Sequence, residues 1–286
     1  IEMAQLLHHL IQFLSILHLS LSSFHPSFQS FLIDYYGEDI SSRLSRKDLG
    51  NRGSFGGTNN ELGSRASEQA VVIVHGVTNS AGSFNKIRVY LESHGHQKGS
   101  VYGTTYGDAG KTNALMVTLN CDYVKQIRLL IQSVAAFTKR KIDVLAFSLG
   151  GPIARKAIMG GTCIDTYENI GMSLSPLIDT FVSVAGANQG SALCFLPFPG
   201  ICNINNGLHC NSAFIRDINS KSRYEGDYIF SIYSQQDDKV GYRNSCGGIS
   251  SRIYGQNTEF IRGGNHDHLM FSTVSLQKNL ITRHSA

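Results

Sequence analysis

The chain has 286 residues, of which 42% are apolar, 16% charged and 29 are glycine, with no tryptophan and a net charge of +4. This composition supplies one sizeable core and excludes a coiled coil or a disordered tail. The charge is modest and no block of five basic residues occurs, so no nucleic-acid partner is implied and attraction to anionic lipid is weak.

From Met3 the chain runs through an apolar segment that ends in small residues at Ser22 and Ser23, the pattern of a secretory signal peptide over residues 1–25. It lacks a basic start and contains His8, His9, Gln12 and His18, so an ordinary amphipathic helix competes with that reading. The segment is too interrupted to span a bilayer, and no other stretch is long and apolar enough, so no transmembrane span is expected. Residues 26–69 read as an N-terminal extension packing on the core, with a short helix around Phe31 to Leu49 and a glycine-rich loop at Asn51 to Gly57.

From residue 70 to 286 the pattern is that of a single domain. Val71 to Val74 is a continuous β-branched run, as in a buried parallel strand, and it ends at His75-Gly76. A helix over Phe84 to His94 leads to a strand at Val101 to Tyr106. A second helix follows, with Val124, Ile127, Ile131 and Val134 on one face and Lys139 and Arg140 at its end. Strands are expected at Ile142 to Phe147, Ile178 to Ala185, Tyr228 to Ser234 and Glu259 to Arg262, with helices after Ser148 and after His266. Strands separated by helices imply an α/β fold with a mostly parallel sheet covered on both faces.

Ala146-Phe147-Ser148-Leu149-Gly150 stands between a strand and a helix. It is the nucleophile-elbow pattern G-x-S-x-G with alanine in the first glycine position. A sharp turn at Ser148 needs small residues two positions to either side, which explains both Ala146 and Gly150. A serine nucleophile needs a base, and the base an orienting carboxylate, in the chain order Ser, acid, His. Asp237 and Asp238 follow the Tyr228 to Ser234 strand and compete for the acid's role. His266 follows the glycine pair Gly263-Gly264 and is the candidate base. The N–H groups of Leu149 and Val77 are the candidate oxyanion donors. His75 precedes Ser148 and closes a strand, which suits a structural hydrogen bond better than a base. No metal site is implied, because His266, Asp267 and His268, like His94 and His96, lack further ligands at a recognisable spacing.

Six cysteines, at 121, 163, 194, 202, 210 and 246, lack C-x-x-C spacing and suit three disulfides in an oxidising compartment. The competing reading is six reduced core thiols.

With these residues in view, the chain resembles the class 2 lipases, small secreted bacterial enzymes and their enlarged nematode relatives, an α/β-hydrolase family. Val72 to Val77 resembles the family's oxyanion strand, and Ala146 to Gly151 its Ala-x-Ser-x-Gly elbow. Ser231 to Asp237 resembles the segment carrying its triad acid, which favours Asp237 over Asp238. Gly264-Asn265-His266 is similar to its histidine motif, while the extension, the cysteines and Arg155 to Ile158 resemble the nematode branch. The resemblance implies a secreted, monomeric, cofactor-free hydrolase of lipid or other esters through Ser148, Asp237 and His266, with Val77 and Leu149 at the oxyanion. A carboxylesterase, an acyltransferase or a silent binding protein on the same fold are the rivals. By position in the chain, the expected bridges are Cys121 to Cys163, Cys194 to Cys202 and Cys210 to Cys246. Gly190 to Ala213 departs from the small bacterial members as an insertion. Its Phe195, Leu196, Phe198 and Ile201 suggest either a lid touching lipid through 195–201 or a packed, stapled loop.

Overall fold

The computed structural model describes residues 23–57 and 69–286, so the expected leader lies outside the described residues as far as position 22. Seven strands form one sheet: β1 (Ser54–Phe55), β2 (Ala70–Val74), β3 (Val101–Thr104), β4 (Ile142–Phe147), β5 (Ile178–Val184), β6 (Tyr228–Tyr233) and β7 (Thr258–Ile261). Their order is β1-β3-β2-β4-β5-β6-β7, with β1 antiparallel to β3 and every other pair parallel. Strands buried on both sides read as near-continuous apolar runs, and β2 with its sequence Ala-Val-Val-Ile-Val is buried throughout.

Successive strand residues point to opposite faces. Val72, Val74, Val144 and Ala146 therefore enter one core, and Val71, Ile73, Leu145 and Phe147 the other. The first core is closed by α1 (Pro26–Tyr36), α2 (Glu38–Ser45), α4 (Cys121–Thr138), α5 (Gly150–Met159) and α6 (Ala213–Ile218). Helices α3 (Asn85–Ser93), α7 (His266–Ser272) and α8 (Val274–Arg283) close the second. Among the described residues no helix is long and apolar enough to cross a membrane.

Three features differ from the sequence reading. The helix expected around Phe31 to Leu49 is two helices, divided at Gly37 where φ is 86°, followed by a 3-10 turn. The glycine-rich loop contains β1, whose Phe55 packs over Gly103. Two residues are too few to show alternation, so the strand leaves no periodic trace. The extension is moored to the sheet: Phe24 is buried, His25 N–H donates to Gly56 O at 2.7 Å, and the Arg46 guanidinium donates to Thr105 O at 2.7 Å and Gly107 O at 2.6 Å.

The third difference concerns the insertion Gly190 to Ala213. Phe195, Leu196, Phe198 and Ile201 do not form one exposed face. Ile201 is 4% exposed and Phe198 packs half-buried on the first core, whereas Phe195 and Leu196 stand out at 75% and 69%. The disulfides join Cys121 to Cys163, Cys194 to Cys202 and Cys210 to Cys246, the pairs read from position in the chain.

Candidate active site

In a parallel sheet, the loops beyond the carboxyl ends of the strands converge on one rim. Val77 follows β2, Ser148 follows β4, Asp237 lies beyond β6, and His266 opens α7 just beyond β7. Ser148 sits in the left-handed region, with φ 56°, a conformation that costs a non-glycine residue about 1–3 kcal/mol. Its own peptide groups hold it there. Ser148 N–H donates to Val184 O at 3.0 Å, and Ala187 N–H donates to Ser148 O at 3.3 Å. The turn brings α5 hard against β2, so that a Cβ on Gly150 would lie 2.4 Å from His75 O. Ala146, buried opposite Val74 and Ser183 of the flanking strands, is the other small position that the elbow requires.

His266 Nε2 lies 2.9 Å from Ser148 Oγ, and its Nδ1 lies 2.8 and 3.0 Å from the two oxygens of Asp237. A carboxylate only accepts, so the proton resides on Nδ1 and the lone pair of Nε2 faces the serine hydroxyl. Asp237 Oδ1 also accepts from the N–H groups of Lys239 and Val240 at 3.0 and 2.8 Å. Burial pushes the Asp237 carboxyl up, but the hydrogen bond and charge of His266 and these two N–H groups outweigh it and hold the group below its ordinary value. All three side chains are buried.

Ser148 and His266 line a cavity of about 490 Å³ whose wall is largely apolar, with Phe84, Phe147, Leu193, Ile201, Leu208 and Met270 among its other residues. Val77 and Leu149 line the same cavity, and among the described residues neither N–H has a backbone acceptor. His75 is on the other side of the turn, in a structural setting. Its Nε2 accepts from Tyr106 N–H at 3.1 Å, its Nδ1 therefore donates to Gly76 O at 2.8 Å, and its ring stacks on Tyr106. Burial lowers its pKa to about 4.

Two residues here have roles that the sequence reading did not give them. Asp238, the exposed neighbour of Asp237, accepts His266 N–H at 3.0 Å, and Asn265 caps α7 by accepting His268 N–H at 3.0 Å. Together they fix the first turn of the helix that starts at His266. Asn directly ahead of a helical residue is a cap signal, so Asn265 was legible; Asp238 was not, because its partner is 28 residues away. Among the described residues the one grouping with metal-ligand spacing is Cys121, Cys163 and Asp165, and its two sulfurs are spent in a disulfide.

Residues 68–279 match the family described as Lipase (class 2). No curated protein matches the chain. Among solved structures, the mature form of Bacillus licheniformis lipase BlEst2 is similar at TM-score 0.52 and 11% identity, over 79% of this chain and 96% of that one. Its propeptide form gives TM-score 0.54 and 12% identity, over 80% and 53%. Aspergillus fumigatus lipase B gives 0.49 and 16%, over 78% and 50%. The chain thus spans about half the length of the latter two proteins. At such identities the likeness is one of fold, and that fold is the α/β-hydrolase. The match over 68–279 takes in every strand from β2 to β7 and all four rim loops, and by it the chain belongs to the class 2 lipase family.

Proposed function

We propose that this member of a family of carboxylic-ester hydrolases cleaves lipid esters, triacylglycerols among them, by acyl transfer to water. The observation that carries the reading is the unbroken relay from Asp237 through His266 to Ser148, opening into an apolar cavity. Ser148 Oγ attacks the ester carbonyl as His266 Nε2 takes its proton; Val77 and Leu149 N–H receive the oxyanion. His266 then protonates the leaving alcohol, and water repeats the sequence on the acyl-enzyme. Asp237 holds the imidazole in the required tautomer and stabilises its charged form. An intact relay disfavours a silent binding protein.

The three disulfides support secretion, since such bridges persist in oxidising compartments. Because Phe24 is part of the core, cleavage of a leader falls ahead of it. Phe195 and Leu196, exposed beside a cavity lined by Leu193 and Ile201, favour a lipid surface over a soluble ester as the source of substrate.

The test is hydrolysis of nitrophenyl esters of increasing chain length. Ser148→Ala and His266→Ala are each expected to lower kcat by about 10⁴ or more, and Ser148→Ala to abolish labelling by a fluorophosphonate. Retention of a tenth of the activity in either variant overturns the assignment.

A further inference from the structure

The insertion 190–213 reads from sequence as either a lid or a surface loop, yet Ser191 and Ala192 at its start are bonded to the loop of the candidate acid. Val240 is the shared residue. Its N–H donates to Asp237 Oδ1 at 2.8 Å, while its carbonyl accepts from both Ser191 Oγ and Ala192 N–H at 2.9 Å. Ser191 is 2% exposed, and its own N–H donates across the insertion to Leu208 O at 2.9 Å.

Other contacts weld the same two segments. Cys210 is bridged to Cys246, Asn244 Nδ2 donates to Gln189 O at 2.6 Å, and Gln189 N–H donates to Ser250 O at 2.8 Å. Gly241 approaches Ala192 so closely that a Cβ on it would lie 2.5 Å from the alanine methyl. The far side of the insertion is fixed as well, with Ile201 N–H on Leu115 O and Leu119 N–H on Asn206 O, both at 2.8 Å. Swinging this segment out as a lid would break both bonds to the Val240 carbonyl and loosen the residue whose N–H binds Asp237.

We propose that the insertion is a fixed brace for the triad acid, with Ser191 a positioning residue that acts on Asp237 through Val240. The proposal rests on the reading of Asp237 as that acid. It gives Ser191 a consequence that ordinary cleft lining lacks. Loss of its hydroxyl removes one of the two donors to the Val240 carbonyl, lets Asp237 drift from His266 Nδ1, and weakens the base rather than substrate binding.

Kinetics on a short, soluble nitrophenyl ester test this, with the rate of fluorophosphonate labelling as a substrate-independent readout and melting curves to verify folding. Ser191→Ala is expected to lower kcat and the labelling rate by about tenfold, since misplacement of a catalytic group by about 1 Å costs up to about 10²-fold. KM should stay within about twofold, as for an interaction made mainly in the transition state.

A second pair of variants removes dependence on Ser191. Gly241→Ala should lower kcat, both by colliding with Ala192 and by placing a side chain at φ 80°. Adding Ala192→Gly, which removes the colliding methyl, should restore a measurable part of the loss. Unchanged kcat and labelling rate in Ser191→Ala, a raised KM alone, or a double variant as slow as Gly241→Ala each overturns the brace. Asp237→Asn run alongside separates the two readings. If it is inactive while these variants are normal, only the brace fails; if it retains activity, the acid assignment has failed first.

Discussion

Asp237 and Asp238 are adjacent in sequence and identical in chemistry, and they bind different parts of His266. The first accepts from the ring and the second from the main-chain N–H. Asp237→Asn keeps an oxygen for the Lys239 and Val240 N–H groups but turns its NH₂ toward Nδ1, which holds the ring in the wrong tautomer and removes the charge, and it should lower kcat by about 10⁴. Asp238→Asn keeps an acceptor oxygen within reach of the N–H, so its loss should be far smaller; a reversed ranking in the same assay moves the triad acid by one position. His75 makes a different prediction. Its pKa falls from 6.5 to about 4 on burial, so the unfolded chain binds a proton in that window and the folded one does not. Stability is then unaffected above pH 6.5 and declines as pH falls toward 4, by about 3 kcal/mol over the full 2.5 units between those values. Denaturant unfolding from pH 7.5 to 4.5 should show this slope, and His75→Gln, which cannot titrate there, should flatten it. Ser148, His75 and His266 were legible because short motifs at strand ends identify them. The choice between the aspartates needed a resemblance, because it depends on which carboxylate the fold turns inward.

The elements that position the site announce themselves by length and burial. The runs that become β2, β4, β5 and β6 are largely buried on both faces and mostly apolar, and α4 carries its periodic stripe through 18 residues. The short elements are invisible for the same reason. β1 has two residues and α6 six, and both are fixed by partners distant in the chain. One such partnership lies directly behind the elbow. Arg155, on α5 and 1% exposed, donates to Glu225 Oε1 at 2.9 Å, to Ile218 O of α6 at 2.8 Å and to Asn188 O at 3.2 Å. Nothing about Glu225 in the sequence reveals that it is wholly buried against a cation. Breaking a buried pair by removing one charge leaves the other uncompensated, so Glu225→Gln should cost about 3–5 kcal/mol. Chemical denaturation measures it, and a loss below about 1 kcal/mol would mean that the carbonyls around Arg155 suffice to hold its charge.

At the scale of the molecule, the distribution of charge around the cavity mouth carries the last prediction. From Gly190 to Leu208 the chain has no charged residue, in a protein where 16% of residues are charged. Within it Leu193, Phe195, Leu196 and Ile204 are exposed, and Leu115, bonded to the same segment through Ile201, and its neighbour Met116 are exposed as well. A patch with nothing charged to desolvate can enter a lipid surface at no electrostatic penalty, and burial of apolar area then contributes about 25 cal/mol per Å². If the segment is a fixed brace, this patch acts by docking the open cavity onto lipid and not by uncovering it. Phe195→Ser with Leu196→Ser should therefore depress hydrolysis of emulsified triacylglycerol several-fold while leaving kcat and KM on a short soluble ester unchanged. A mobile lid has another signature, since losing its apolar grip on the cavity would raise activity on the soluble ester. Equal losses on both substrates would mean that the two side chains support the brace itself, and would remove the case for a lipid surface as the source of substrate.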